Sequence, residues 1–162
     1  MGSVQLGLAY GAANRTGKPA HATALKLVRR AADAGISAFD TARAYGDAEE
    51  RLGEALSGRT IRTVTKLSPL SELKENASSE TVRAAVDKSI ADSLAALRGT
   101  SLDCLLLHRA AHIASFKGAV WRRLAEHVAE GRIAALGVSV QSDRKSTRLN
   151  SSHVALSRMP SS

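Results

Sequence analysis

The chain has 162 residues, 44% hydrophobic and 23% charged, which fits one globular domain and argues against intrinsic disorder. A single cysteine excludes an internal disulfide framework and suits a reducing cytoplasm, and no apolar run approaches the length of a membrane span. The net charge of +8 raises nucleic acid as a partner, yet the basic residues are interspersed with acids, as in "GDAEERLGEAL" and "AEHVAEGR", so no basic stripe is expected.

The N-terminal "MGSVQLGLAYG" lacks the basic segment and long apolar core of a signal peptide. Within it "SVQLGL" predicts a first strand, and the Gly- and Asn-rich "AYGAANRTGKP" predicts a loop. Residues 20–34 carry Leu25, Val28 and Ala32 on one helical face, with Gly35 as the stop. "ISAFD" predicts a second strand, residues 47–57 a helix ending near Gly58, and "IRTVTK" a third strand. Over 79–98, Val82, Val86, Ile90, Leu94 and Leu97 repeat at helical spacing; Ser78, Ser79 and Glu80 open that helix and Gly99 closes it. "LDCLLLH" is nearly all apolar, as parallel strands covered on both faces are, and Cys104 within it reads as a small buried hydrophobe. Val120, Trp121, Leu124 and Val128 mark a helix ending at Gly131, and "IAALGVSV" predicts a fifth strand.

Residues 143–162, "DRKSTRLNSSHVALSRMPSS", have no helical or strand period and no core face. They resemble the translation of a widely used short-read sequencing adapter. A non-native, disordered tail is therefore expected there, with residues 1–142 forming the domain. Arg144, Lys145, Arg148 and Arg158 against Asp143 give this tail +3 of the net +8, which weakens the nucleic-acid reading further.

The alternation of strands and helices predicts an α/β fold with a parallel sheet, either open and doubly wound or a barrel. Neither G-x-G-x-x-G nor G-x-x-x-x-G-K-[ST] is present, so a Rossmann or P-loop site is not expected. Three strands end on an ionisable residue: Asp40 after "ISAF", Lys66 after "IRTVT" and His108 after "LDCLLL"; Tyr45 lies just beyond Asp40. Singly these read as an N-cap, a solvated strand end, a core histidine and a turn residue. Together they mark the C-terminal mouths of successive strands, where parallel barrels collect their chemistry. His108 and His112 have i, i+4 spacing but follow a strand, so no metal site is expected.

Four segments, "FDTARAYGDAEERLGEAL", "TVTK", "DCLLLHR" and "GRIAALGVSV", occur in this order, and on them the sequence resembles the aldo-keto reductases. "GLAYGAANRTGKP" further resembles a bacterial branch of that family. The resemblance implies a (β/α)8 TIM barrel, here truncated to about five βα units because a complete barrel takes roughly 250 residues. It implies reduction of an aldehyde or ketone by hydride from a nicotinamide cofactor, NADP or alternatively NAD. Negative charge builds on the carbonyl oxygen in such a step and a positioned acid must neutralise it. By resemblance Tyr45 is that acid, Lys66 the cation beside it, Asp40 the carboxylate that orients the cation, and His108 the group that orients the substrate carbonyl. A phenol is ordinarily a weak acid with a pKa near 10, and a nearby cation favours its ionised form. For the cofactor the resemblance implies Asp40 near the nicotinamide ribose and Ser139 on the carboxamide. Val140 stands where the family has Asn, with Gln141 as the candidate substitute.

The expected partner is a small carbonyl substrate, with neither nucleic acid nor membrane. The family's later strands carry the ring-stacking residue and the pocket for the adenosine 2′-phosphate, and this sequence stops before them, so the chain alone is expected to be inactive. Two other readings stay open at this point. One is a regulatory barrel of the same family that binds cofactor without turnover; the other is a basic nucleic-acid-binding module, whose binding would depend strongly on salt.

Overall fold

The computed structural model describes residues 1–140 and 153–157. Strands β1 (Ala38–Asp40), β2 (Arg62–Lys66), β3 (Cys104–Leu107) and β4 (Leu136–Val140) lie side by side in chain order, all parallel. Helices α1 (Val4–Gly7), α2 (His21–Asp33), α3 (Ala48–Ala55), α4 (Ser79–Leu97) and α5 (Ala119–Ala129) precede and connect them. Sequential parallel neighbours joined by helices are what one sector of a β/α barrel looks like. Among the described residues no helix is long and apolar enough to cross a membrane.

Local chemistry explains the elements. Ser78 caps α4, its hydroxyl accepting the Thr81 backbone N–H at 3.1 Å. Val82, Val86 and Ile90 then fall on one buried face and pack with Leu105 and Leu107 of β3 and with Val120 and Leu124 of α5. Every residue of β3 is buried, as its unbroken apolar run implies, and burial pushes the Cys104 thiol pKa up, away from the reactive thiolate. A second cluster joins Ala24, Leu25 and Val28 of α2 to Phe39 of β1 and Leu52 of α3, with Leu6 inserted from α1.

Two segments differ from the sequence reading. "SVQLGL" is not a strand: Gly2, just before it, makes an isolated bridge to Asp40, and the chain then curls into α1, with Leu8 N–H donating to Val4 O at 3.0 Å. A strand would place Leu6 and Leu8 on one face, whereas Leu6 is buried and Leu8 is exposed. Curling brings the bare backbone of Gly7 against the loop after β1, where a Cβ would overlap Tyr45 O. In the C-terminal stretch read as structureless, His153–Ser157 forms β5, antiparallel to β4. The far edge of β4 presents unpaired N–H and C=O groups, and a short extended segment can satisfy them whatever its side chains.

Candidate functional site

The site begins where β1 and β2 end. Register pairs Asp40 with Val64, so Lys66 projects two residues beyond that level and reaches back across the sheet. Its buried ammonium donates to Asp40 Oδ1 at 2.7 Å and to the Thr41 carbonyl at 2.8 Å. A buried hydrogen bond to the Thr41 carbonyl and a part-buried ion pair with Asp40 offset the desolvation of this cation. The Asp40 side chain is 41% exposed, so it meets both Lys66 and solvent.

Beyond Asp40 the chain follows the edge of β2. Thr41 N–H donates to Val64 O at 2.8 Å and Arg43 N–H to Lys66 O at 3.2 Å. It then turns, with Tyr45 N–H bonded to Ala42 O at 3.0 Å and Ala48 N–H to Tyr45 O at 3.2 Å. Gly46 completes the turn with φ +58, a left-handed backbone that favours glycine, and a Cβ there would lie 2.5 Å from Gly7 O. A Cβ on Gly7 would in turn overlap Tyr45 O. Two glycines in backbone contact therefore set the height of Tyr45, which is why this tyrosine sits in a turn rather than in an apolar run. Its ring centroid lies 5.2 Å from Lys66 Nζ and meets the His108 ring edge-on, at 6.4 Å between centroids and 81° between planes.

Tyr45, Lys66, His108 and Ser139 line a single pocket of about 470 Å³. Of the residues expected at the site, Asp40 stands behind Lys66 rather than in the lining, and Gln141 lies outside the described residues. Pro69, Arg109 and Ala110 complete the walls. The sequence reading assigned these three no role, although Arg109 directly follows His108 in "LLLHR" and could have been found from that adjacency.

Burial, then the Lys66 and Arg109 cations, hold the His108 imidazole below its ordinary pKa of 6.5. At neutral pH it is uncharged and has one N–H to donate. Its Nδ1 is buried without a hydrogen-bond partner among the described residues. The pocket thus gathers a phenol, a neutral imidazole, an ammonium and a hydroxyl, a set able to donate hydrogen bonds to a carbonyl oxygen and to deliver a proton there.

A depressed histidine also makes stability depend on pH. Between the lowered folded value and 6.5 the unfolded chain binds the proton and the folded chain does not, so stability falls as pH drops below 6.5. Denaturant midpoints measured from pH 7.5 to 5.5 are expected to fall in wild type and to fall less in His108→Gln; equal slopes would show that His108 charges freely in the fold.

The sequence matches the aldo/keto reductase family over residues 2–154. It is 37% identical over 131 residues to a 6-dehydroglucose reductase of Novosphingobium aromaticivorans, covering 73% of this chain and 41% of that protein. Among solved structures it is similar to an aldo-keto reductase of Pseudomonas aeruginosa, with TM-score 0.66 and 31% identity over 86% of this chain and 54% of that one. It is also similar to an aldo/keto reductase of Klebsiella pneumoniae solved with NADP and acetate, with TM-score 0.61 and 30% identity over 76% of this chain and 41% of that one. The chain therefore spans about half the length of the relatives it matches. A family match over nearly the whole sequence, on a sheet whose strand order and parallel direction are those of a barrel sector, leaves one assignment: this chain belongs to the aldo/keto reductase family.

Proposed function

We propose that the barrel to which this segment belongs reduces an aldehyde or ketone to the alcohol with a nicotinamide dinucleotide, NADP or alternatively NAD, and that Tyr45 supplies the proton. One observation carries the reading. Tyr45 and His108, from different βα loops, face one pocket beside a buried lysine. The Tyr45 hydroxyl is the proton donor to the nascent alkoxide, and His108, kept neutral, directs its N–H at the carbonyl oxygen. Lys66, anchored by Asp40 and Thr41 O, offsets the negative charge left on the phenol.

The residues fit a nicotinamide. The Ser139 hydroxyl lines the pocket and can both donate and accept, as a carboxamide requires, and Asp40 remains open to solvent, where a ribose hydroxyl could reach it. When bound, the cofactor supplies the hydride. The relative solved with NADP supports this choice. Turnover of a generic aromatic aldehyde by a barrel completed with the strands that the longer relatives carry, followed as NADPH consumption, tests the reading. Cofactor binding without turnover would favour a regulatory barrel instead. The 162-residue chain alone is expected to show no turnover, since the four parallel strands among the described residues leave the barrel open.

A further inference from the structure

The least expected charge in the molecule lies beneath the site. Glu49, in the first turn of α3, is 0% exposed. A carboxylate is costly to bury unless it is paired and fully hydrogen-bonded. Glu49 is paired on both sides: Oε1 accepts the Thr65 hydroxyl at 2.6 Å, and Oε2 forms an ion pair with Arg43 Nη1. The helix N-terminus adds a favourable partial charge.

Those partners belong to two different elements. Thr65 precedes Lys66 on β2, and Arg43 lies in the loop that carries Tyr45, its backbone N–H already bonded to Lys66 O. Glu49 thus joins the carrier of the phenol to the carrier of the ammonium from below, without touching the pocket that both face. The neighbouring Glu50 is exposed, which is where a charge serving only the helix would stand.

We infer that Glu49 is a positioning residue that holds Tyr45 over Lys66 by tying Arg43 of the β1–α3 loop to Thr65 of β2. The inference rests on the reading of Tyr45 as proton donor for its functional meaning, but its geometry can be tested without turnover. A displacement of about 1 Å at the acid can cost on the order of 10²-fold in rate, so a completed barrel carrying Glu49→Gln should lose turnover on that scale with KM little changed.

The chain has two tyrosines and one tryptophan, which makes the decisive measurement direct. In the 162-residue chain labelled with ¹³C at the tyrosine Cζ, Tyr10→Phe assigns the Tyr45 resonance. The indole N–H of Trp121, packed against the other core cluster, reports global packing. Glu49→Gln retains an oxygen for Thr65 and loses the ion pair; Glu49→Leu loses both. The expected result is a displaced Tyr45 resonance in Glu49→Gln and a larger displacement in Glu49→Leu, with Trp121 unmoved. A Tyr45 resonance at its wild-type position in both folded variants would overturn the inference. Should the Glu49 variants lose both resonances together, Thr65→Val and Arg43→Gln each remove one arm, and they must move Tyr45 without Trp121 or the inference fails. Wild-type turnover in Tyr45→Phe would sink the proposed function while leaving this positional claim standing, so the two failures are distinct.

Discussion

Tyr45→Phe is expected to lower carbonyl reduction by about 10²–10⁴-fold in a completed barrel, the range that a lost general acid typically accounts for. The substitution removes one oxygen and leaves the ring. Contacts that place the ring, edge-on to His108 at 6.4 Å and beside the Lys66 ammonium at 5.2 Å, survive in the phenylalanine variant. The turn is held by backbone hydrogen bonds and by the Gly7–Gly46 contact, neither of which involves the hydroxyl. Thermal stability and cofactor affinity should therefore stay near wild type. Because the proton is transferred only in the transition state, kcat and kcat/KM should fall together while KM is kept. Steady-state kinetics beside a cofactor titration checks this. Equal turnover by variant and wild type would remove Tyr45 from the mechanism.

Lys66→Met is expected to match that loss in rate and to add a loss of stability. Lys66 is 6% exposed and its ammonium serves two acceptors, Asp40 Oδ1 and the carbonyl of the fully buried Thr41. Methionine fills much of the same space but donates nothing. Asp40 can turn to solvent, since it is already part-exposed, whereas Thr41 O is left without its lysine donor, at a cost of about 1–3 kcal/mol. The phenol loses the cation that would stabilise its charge after proton transfer, so turnover should drop by on the order of 10²-fold or more. Melting temperature and turnover measured on one preparation separate the two effects. A variant that melts lower yet turns over within tenfold of wild type would make Lys66 a structural residue only.

Much of this was legible in the chain as written, and the reason is local. Apolar spacing of 3.6 or unbroken apolar runs report which face of an element is covered, and that requirement acts on each segment separately. So the helix over 79–98, the buried "CLLL" and the strand ends at Asp40, Lys66 and His108 could be read before any contact was known. The likeness of "FDTARAYG" to a known family then suggested roles for those residues, but it did not show where they stand.

Tertiary structure decided what depends on register and close approach. Asp40 and Lys66 are far apart in sequence and meet only because β1 pairs with β2 at Asp40↔Val64. No periodicity distinguishes Glu49 from Glu50: adjacent acids in a first helical turn look alike, and only the packing of α3 beneath the Tyr45 loop buries one and leaves the other in water. The same holds for "SVQLGL". Its composition allows a strand, but in the fold it forms the short helix α1, which stands in backbone contact with Gly46, a segment that the sequence keeps apart. Sequence by itself determined the elements and the chemical types at their ends, because propensity and burial are properties of a segment. The distances that could make those types a catalytic site came from the fold, because they are properties of pairs.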